Sequence, residues 1–102
     1  MTELTKEQKI TIIEASIEKL KLDITEFICE CLRYEYRKID KTGIKLNYNE
    51  VLKMFPEVVA LAPKNVKVDL EEIYGPPWFG PSEEGNRQRI ELLEKVLITL
   101  KA

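Results

Sequence analysis

Residues 5–24 read Thr5-Lys6-Glu7-Gln8-Lys9-Ile10-Thr11-Ile12-Ile13-Glu14-Ala15-Ser16-Ile17-Glu18-Lys19-Leu20-Lys21-Leu22-Asp23-Ile24. Ile10, Ile13, Ile17, Leu20 and Ile24 recur at steps of three and four, the spacing that lines one face of an α-helix. Ile12 widens that face, and Glu14, Glu18, Lys19 and Lys21 fall largely off it. Thr5 followed by Gln8 has the spacing of a capping box, in which each side chain satisfies the other's free backbone N–H. A helix over about Lys6 to Lys21 is expected, and the rest of the chain is read as covering its apolar stripe.

The next segments follow the same period. Asp23 with Glu26 offers an N-cap for a second helix from Ile24 to about Lys38. Its apolar face would hold Ile24, Phe27, Ile28, Cys31 and Leu32, with Tyr36 at the margin, and Arg37 and Lys38 would sit at the negative pole of its dipole. A break near Asp23 makes the two helices a hairpin; one long helix is the alternative. Asp40-Lys41-Thr42-Gly43 is a turn. Asn47 or Asn49 then caps a short helix with Val51, Leu52 and Phe55 facing inward. Pro56 opens another short helix, where its missing N–H is harmless, and Pro63 ends it. Val66 and Val68 suit a short extended segment, and Asp69 with Glu72 a single capped turn. Ser82 caps the last helix, whose first turn carries Glu83 and Glu84 and whose stripe is Ile90, Leu93, Val96, Leu97 and Leu100. Gly85 in its first turn either delays the helix to about Asn86 or admits a close neighbour.

Between these lies Tyr74-Gly75-Pro76-Pro77-Trp78-Phe79-Gly80-Pro81-Ser82, with three of the five prolines and the one tryptophan. Three prolines cannot share a helix interior, so this is a stiff loop. Its aromatics can bury large apolar areas, and the expected arrangement is a lid. The fold class is therefore all-α: one domain over residues 1–102, a small bundle of three main helices plus short helices, with the proline and aromatic loop over the core. Stripes of this kind can close a monomer or zip two copies together.

Composition narrows function by exclusion. The chain has 102 residues, 44% hydrophobic and 33% charged, with a net charge of −2. This balance argues against a protein that neutralises many phosphates, so nucleic acid is not the expected partner. No apolar run reaches the roughly 20 residues that span a bilayer, and the polar start lacks the core of a signal peptide. The expected address is the cytoplasm, with Cys29 and Cys31 reduced. Histidine is absent, which removes the usual acid–base group and the commonest metal ligand.

Few constellations carry chemistry. Cys29 and Cys31 point about 200° apart on a helix and lack the second pair of a zinc site, so Cys31 reads as core and Cys29 as margin. Asp69, Glu71, Glu72, Glu83 and Glu84 form an acidic run; a solvated face explains it better than a metal or hydrolytic site. No cofactor is expected, and no enzyme. Two surfaces remain. One is basic and tyrosine-bearing: Arg33, Tyr34, Tyr36, Arg37, Lys38 and Lys41, residue types enriched at protein interfaces, although a solvated helix end has the same composition. The other pairs Tyr74, Trp78 and Phe79 with Asn86, Arg87 and Arg89, the parts of a nucleotide-like site; the competing reading is that the aromatics close the core.

The chain also resembles small accessory proteins of phages and prophages. The resemblance is carried by Phe27-Ile28-Cys29-x-x-Leu32, Phe55-Pro56-Glu57, Trp78-Phe79 and Arg89-Ile90-x-x-Leu93-x-x-Val96-Leu97. It spans most of the chain through mainly hydrophobic motifs. It implies an accessory or host-interfering setting and transfers no functional residue. The leading expectation is a non-enzymatic interaction protein that binds, and by binding can inhibit, a protein partner. The alternative is a small-ligand binder such as a nucleotide sponge.

Overall fold

The computed structural model describes residues 4–24, 26–40, 48–62 and 83–102. These form five helices: α1 (Lys6–Leu22), α2 (Ile28–Ile39), α3 (Tyr48–Met54), α4 (Pro56–Leu61) and α5 (Glu83–Lys101). The described residues contain no strand, and the fold class is all-α. Lys41, the segment with Val66 and Val68, the carboxylates Asp69, Glu71 and Glu72, the loop with Tyr74, Trp78 and Phe79, and the expected cap Ser82 lie outside the described residues.

The capping box expected at Thr5 starts α1. The Gln8 N–H donates to Thr5 Oγ1 at 3.1 Å, and the Thr5 N–H donates to Gln8 Oε1 at 2.9 Å. Two free backbone donors are thus satisfied reciprocally, as the helix start requires. The helix buries Ile12, Ile13, Ser16, Ile17 and Leu20. Each fully buried isoleucine or leucine contributes about 1.5–3 kcal/mol relative to exposure.

The break near Asp23 is present, but the role expected for Asp23 is not. Asp23 closes α1, its N–H donating to the Lys19 carbonyl at 3.0 Å, with its own backbone extended. The α2 helix starts four residues later than expected, behind Phe27, which gives no side-chain cap. Ile24 consequently sits in the link and is exposed rather than on the core face of α2. Ile28, Cys31, Leu32 and Tyr36 do face the core. Because α2 begins late, the hairpin has a real linker with its own backbone groups to satisfy.

Val51, Leu52, Met54 and Phe55 are buried from α3 and the residue after it. Pro56 occupies the first turn of α4, where the absent N–H is one that no helix pairs. Phe55 immediately before it has left the helical region, at φ −124° and ψ 63°, as the steric demand of a following proline predicts. Lys9 Nζ meets Glu57 Oε2 at 3.1 Å and fastens α4 to α1.

Helix α5 starts at Glu83, so Gly85 lies inside it and is buried. Its core row is Gly85, Arg89, Leu92, Val96 and Leu100, flanked by Asn86 and Leu93. Leu92 therefore belongs to the stripe, while Ile90 and Leu97 lie at its edge. α1 packs against both α5 and α2, α4 against α5, and α3 against α2 and α4. Lys6 at the start of α1 reaches the carbonyl of Ala102 past the end of α5, and Ile24 beyond α1 meets Arg89 near the start of α5. The two long helices thus run antiparallel. No helix of the described residues is long and apolar enough to cross a membrane.

Candidate functional site: a tyrosine between two lysines on α2

The outward side of α2 follows from its inward one. With Ile28, Cys31, Leu32, Glu35 and Tyr36 buried, the helical period leaves Tyr34, Arg37 and Lys38 facing out, and Arg33 half-buried at the edge. Tyr34 is 51% exposed. Its ring is contacted by two ammonium groups, Lys19 Nζ at 3.8 Å and Lys38 Nζ at 4.6 Å from the centroid. Both distances lie within the range of attraction between a cation and an aromatic face. Lys38 also pairs with Glu35, Nζ to Oε2 at 3.0 Å. Lys19 and Arg37 have no carboxylate partner among the described residues. Lys19 comes from α1, and the α1–α2 hairpin places it over the ring.

Tyr36 does not belong to this face. It is buried, and its hydroxyl donates to Asp40 Oδ2 at 2.8 Å. Burial and the Asp40 carboxylate together raise its pKa. The basic, tyrosine-bearing surface thus loses Tyr36 and gains Lys19: it holds Lys19, Arg33, Tyr34, Arg37 and Lys38, with Lys41 outside the described residues. Arg33 already takes part in a polar interaction.

The second candidate set divides. Arg87 is exposed and bidentate to Glu84, Nε to Oε2 at 3.0 Å and Nη2 to Oε1, while its Nη1 donates to Glu91. The hydrogen bond to Arg87 holds the Glu84 carboxyl below its usual range, and the same contacts raise Arg87. Arg89 turns the other way. It is 0% exposed, and its Nη2 donates to the Ile24 carbonyl at 2.7 Å. Burial pulls its pKa down, opposed by the nearby Cys31. Asn86 is buried, and its Oδ1 has no hydrogen-bond partner among the described residues, as is also true of Ser16 Oγ. Asn86, Arg87 and Arg89 therefore do not present one convergent set of donors. Tyr74, Trp78 and Phe79 lie outside the described residues.

Cys31 is buried and Cys29 half-buried, both as free thiols. Burial pushes each up to about 12, assisted by Glu30 at Cys29 and by Glu26 at Cys31. A thiol so far above neutrality supplies almost no thiolate at physiological pH, which is what a nucleophile or metal ligand needs. No cluster of three or more cysteine or carboxylate groups among the described residues could hold a metal ion.

No family model, curated protein or solved structure matches this chain. Sequence reasoning missed Lys19 as part of the α2 face. The signal was there: Lys19 lies off the apolar stripe of α1, close to the break that folds α2 back.

Proposed function

We propose that this protein is a non-enzymatic interaction module that binds a protein partner through the outward face of α2 and can thereby inhibit it. The partner face is Arg33, Tyr34, Arg37 and Lys38 of α2 with Lys19 of α1. The proline and aromatic segment, residues 74–82, is assigned to roofing the three-helix core rather than to a ligand. The observation that carries this reading is Tyr34, half in solvent between two ammonium groups. Tyrosine and arginine dominate interface hot spots because they combine large contact area with directional polar groups. A ring already held by neighbouring cations loses less freedom when a partner arrives. The thiol environment supports a role without covalent catalysis. The resemblance to small phage and prophage accessory proteins suggests a host-interfering setting, with a cytoplasmic address as part of the same proposal.

The second reading, a small-ligand site at Tyr74, Trp78, Phe79, Asn86, Arg87 and Arg89, draws support from the buried Oδ1 of Asn86. It loses support from Arg87, committed to two carboxylates, and from Arg89, turned into the core. Affinity capture from the native host with wild-type protein, Tyr34→Ala and Arg33→Glu/Arg37→Glu distinguishes the two. Loss of a captured protein with both variants, at unchanged helicity, supports the α2 face. Unchanged capture, or a tryptophan fluorescence response to nucleotides, supports the other site.

A further inference from the structure

We infer that the α2 face takes an acidic, partly apolar segment of the partner, a stretch in which carboxylates alternate with large hydrophobic side chains. The inference rests on the reading of α2 as the docking face and names what docks there.

Charge decides the sign of the occupant. Lys38 is balanced by Glu35, but Lys19 and Arg37 have no carboxylate among the described residues, although Lys19 already lies on the Tyr34 ring. Arg37 is three residues past Tyr34 and shares its side of the helix. A carboxylate arriving at either cation makes a charge-assisted hydrogen bond that no described carboxylate supplies. The apolar component follows from two exposed surfaces. Tyr34 offers ring area, and Leu22, one helical turn past Lys19, is 89% exposed. A face that sets the Tyr34 ring among cations suits an occupant whose apolar side chains are flanked by acids.

The same features disfavour other polyanions. A nucleic-acid groove lines many cations along a backbone track, and an anionic membrane surface is held by clusters of four to eight basic residues. Among the described residues this face has two cations without a carboxylate partner, and Glu26 and Glu30 lie on or just before α2 in a chain of net charge −2. A long phosphate backbone would meet those carboxylates; a short acidic segment need not.

Fluorescence polarisation tests this with a short labelled peptide of alternating Glu and Leu. A Lys/Leu peptide of equal length, oligothymidylate and phosphatidylserine vesicles serve as the competing probes. The Glu/Leu peptide should bind, weaken at high salt, and bind about tenfold more weakly to Lys19→Glu and to Arg37→Glu at unchanged circular dichroism. Absence of binding, equal binding by both variants, or binding of only the Lys/Leu peptide, the oligonucleotide or the vesicles overturns the assignment. If Tyr34→Ala abolishes capture of a partner while the Glu/Leu peptide is ignored, the docking face stands and the acidic occupant falls. If capture is also indifferent, both fall.

Discussion

Arg89 Nη2 on α5 donates a 2.7 Å hydrogen bond to the carbonyl of Ile24, in the link between α1 and α2. The guanidinium is fully buried. A link between two helices has carbonyls that neither helix pairs, and a buried guanidinium needs such acceptors, since a buried polar group left unpaired costs about 1–3 kcal/mol. The bond to Ile24 lowers that cost while tying α5 to the hairpin that carries α2. The arginine is thus a structural support for the hairpin that holds α2.

Replacement of Arg89 should therefore be severe. Arg89→Ala leaves the Ile24 carbonyl without this donor and opens a cavity, and is expected to lower stability by about 3 kcal/mol. Arg89→Lys keeps the charge and loses the planar fork, and should fall between wild type and alanine. Urea denaturation followed by far-UV circular dichroism reads both.

Helix α1 should depend on its N-terminal cap. Thr5→Ala removes the oxygen that accepts from Gln8 and is expected to cost about 1 kcal/mol, with the midpoint shifting and the urea slope unchanged.

Phe55 is 0% exposed where α3 meets α4. Phe55→Ala should cost roughly 3–5 kcal/mol, close to the whole stability of a small domain, and broaden or abolish the thermal transition. Arg87→Ala, by contrast, breaks only solvent-exposed ion pairs and should leave the transition nearly where it was.

The thiols give a pH prediction. Cys29 and Cys31 titrate near 12 in the fold and near their ordinary value of 9.0 when unfolded. Their protonated state is favoured by folding, so the stability they confer is intact below pH 9.0 and declines as pH rises from there toward 12. Denaturation midpoints should fall across that window, and Cys31→Ser should shallow the fall. At neutral pH both thiols should react slowly with a disulfide reagent until denaturant is added.

Much of this fold is legible along the chain, because local chemistry and tertiary packing agree where the signals are strong. The Thr5–Gln8 box, Ile13, Ile17 and Leu20 in the α1 stripe, Pro56 at the start of α4 and Cys31 as a core residue all follow from the order of residues, whereas Ile10 is only half-buried and Ile24 is exposed. The errors have a common cause. Asp23 has the side chain of a helix N-cap, yet its backbone N–H is taken by Lys19, so it closes one helix instead of opening the next. Arg89 reads as an anion ligand because arginine is rarely fully buried. Its position in the row Gly85, Arg89, Leu92, Val96 and Leu100 was the signal that it faces inward. Tyr36 fits both faces of α2 in composition; four residues past Leu32, it is drawn into the core. The candidate face on α2 was only half visible: spacing puts Lys19 off the α1 stripe, and the fold of the hairpin sets it over Tyr34.

Hydrogen–deuterium exchange of the protein with and without its captured partner decides whether α2 is the docking face. New protection is expected across residues 33–38 and around Lys19, with α5 unchanged. Protection confined to α5 or to residues 74–82, with α2 exchanging as in the free protein, would contradict it.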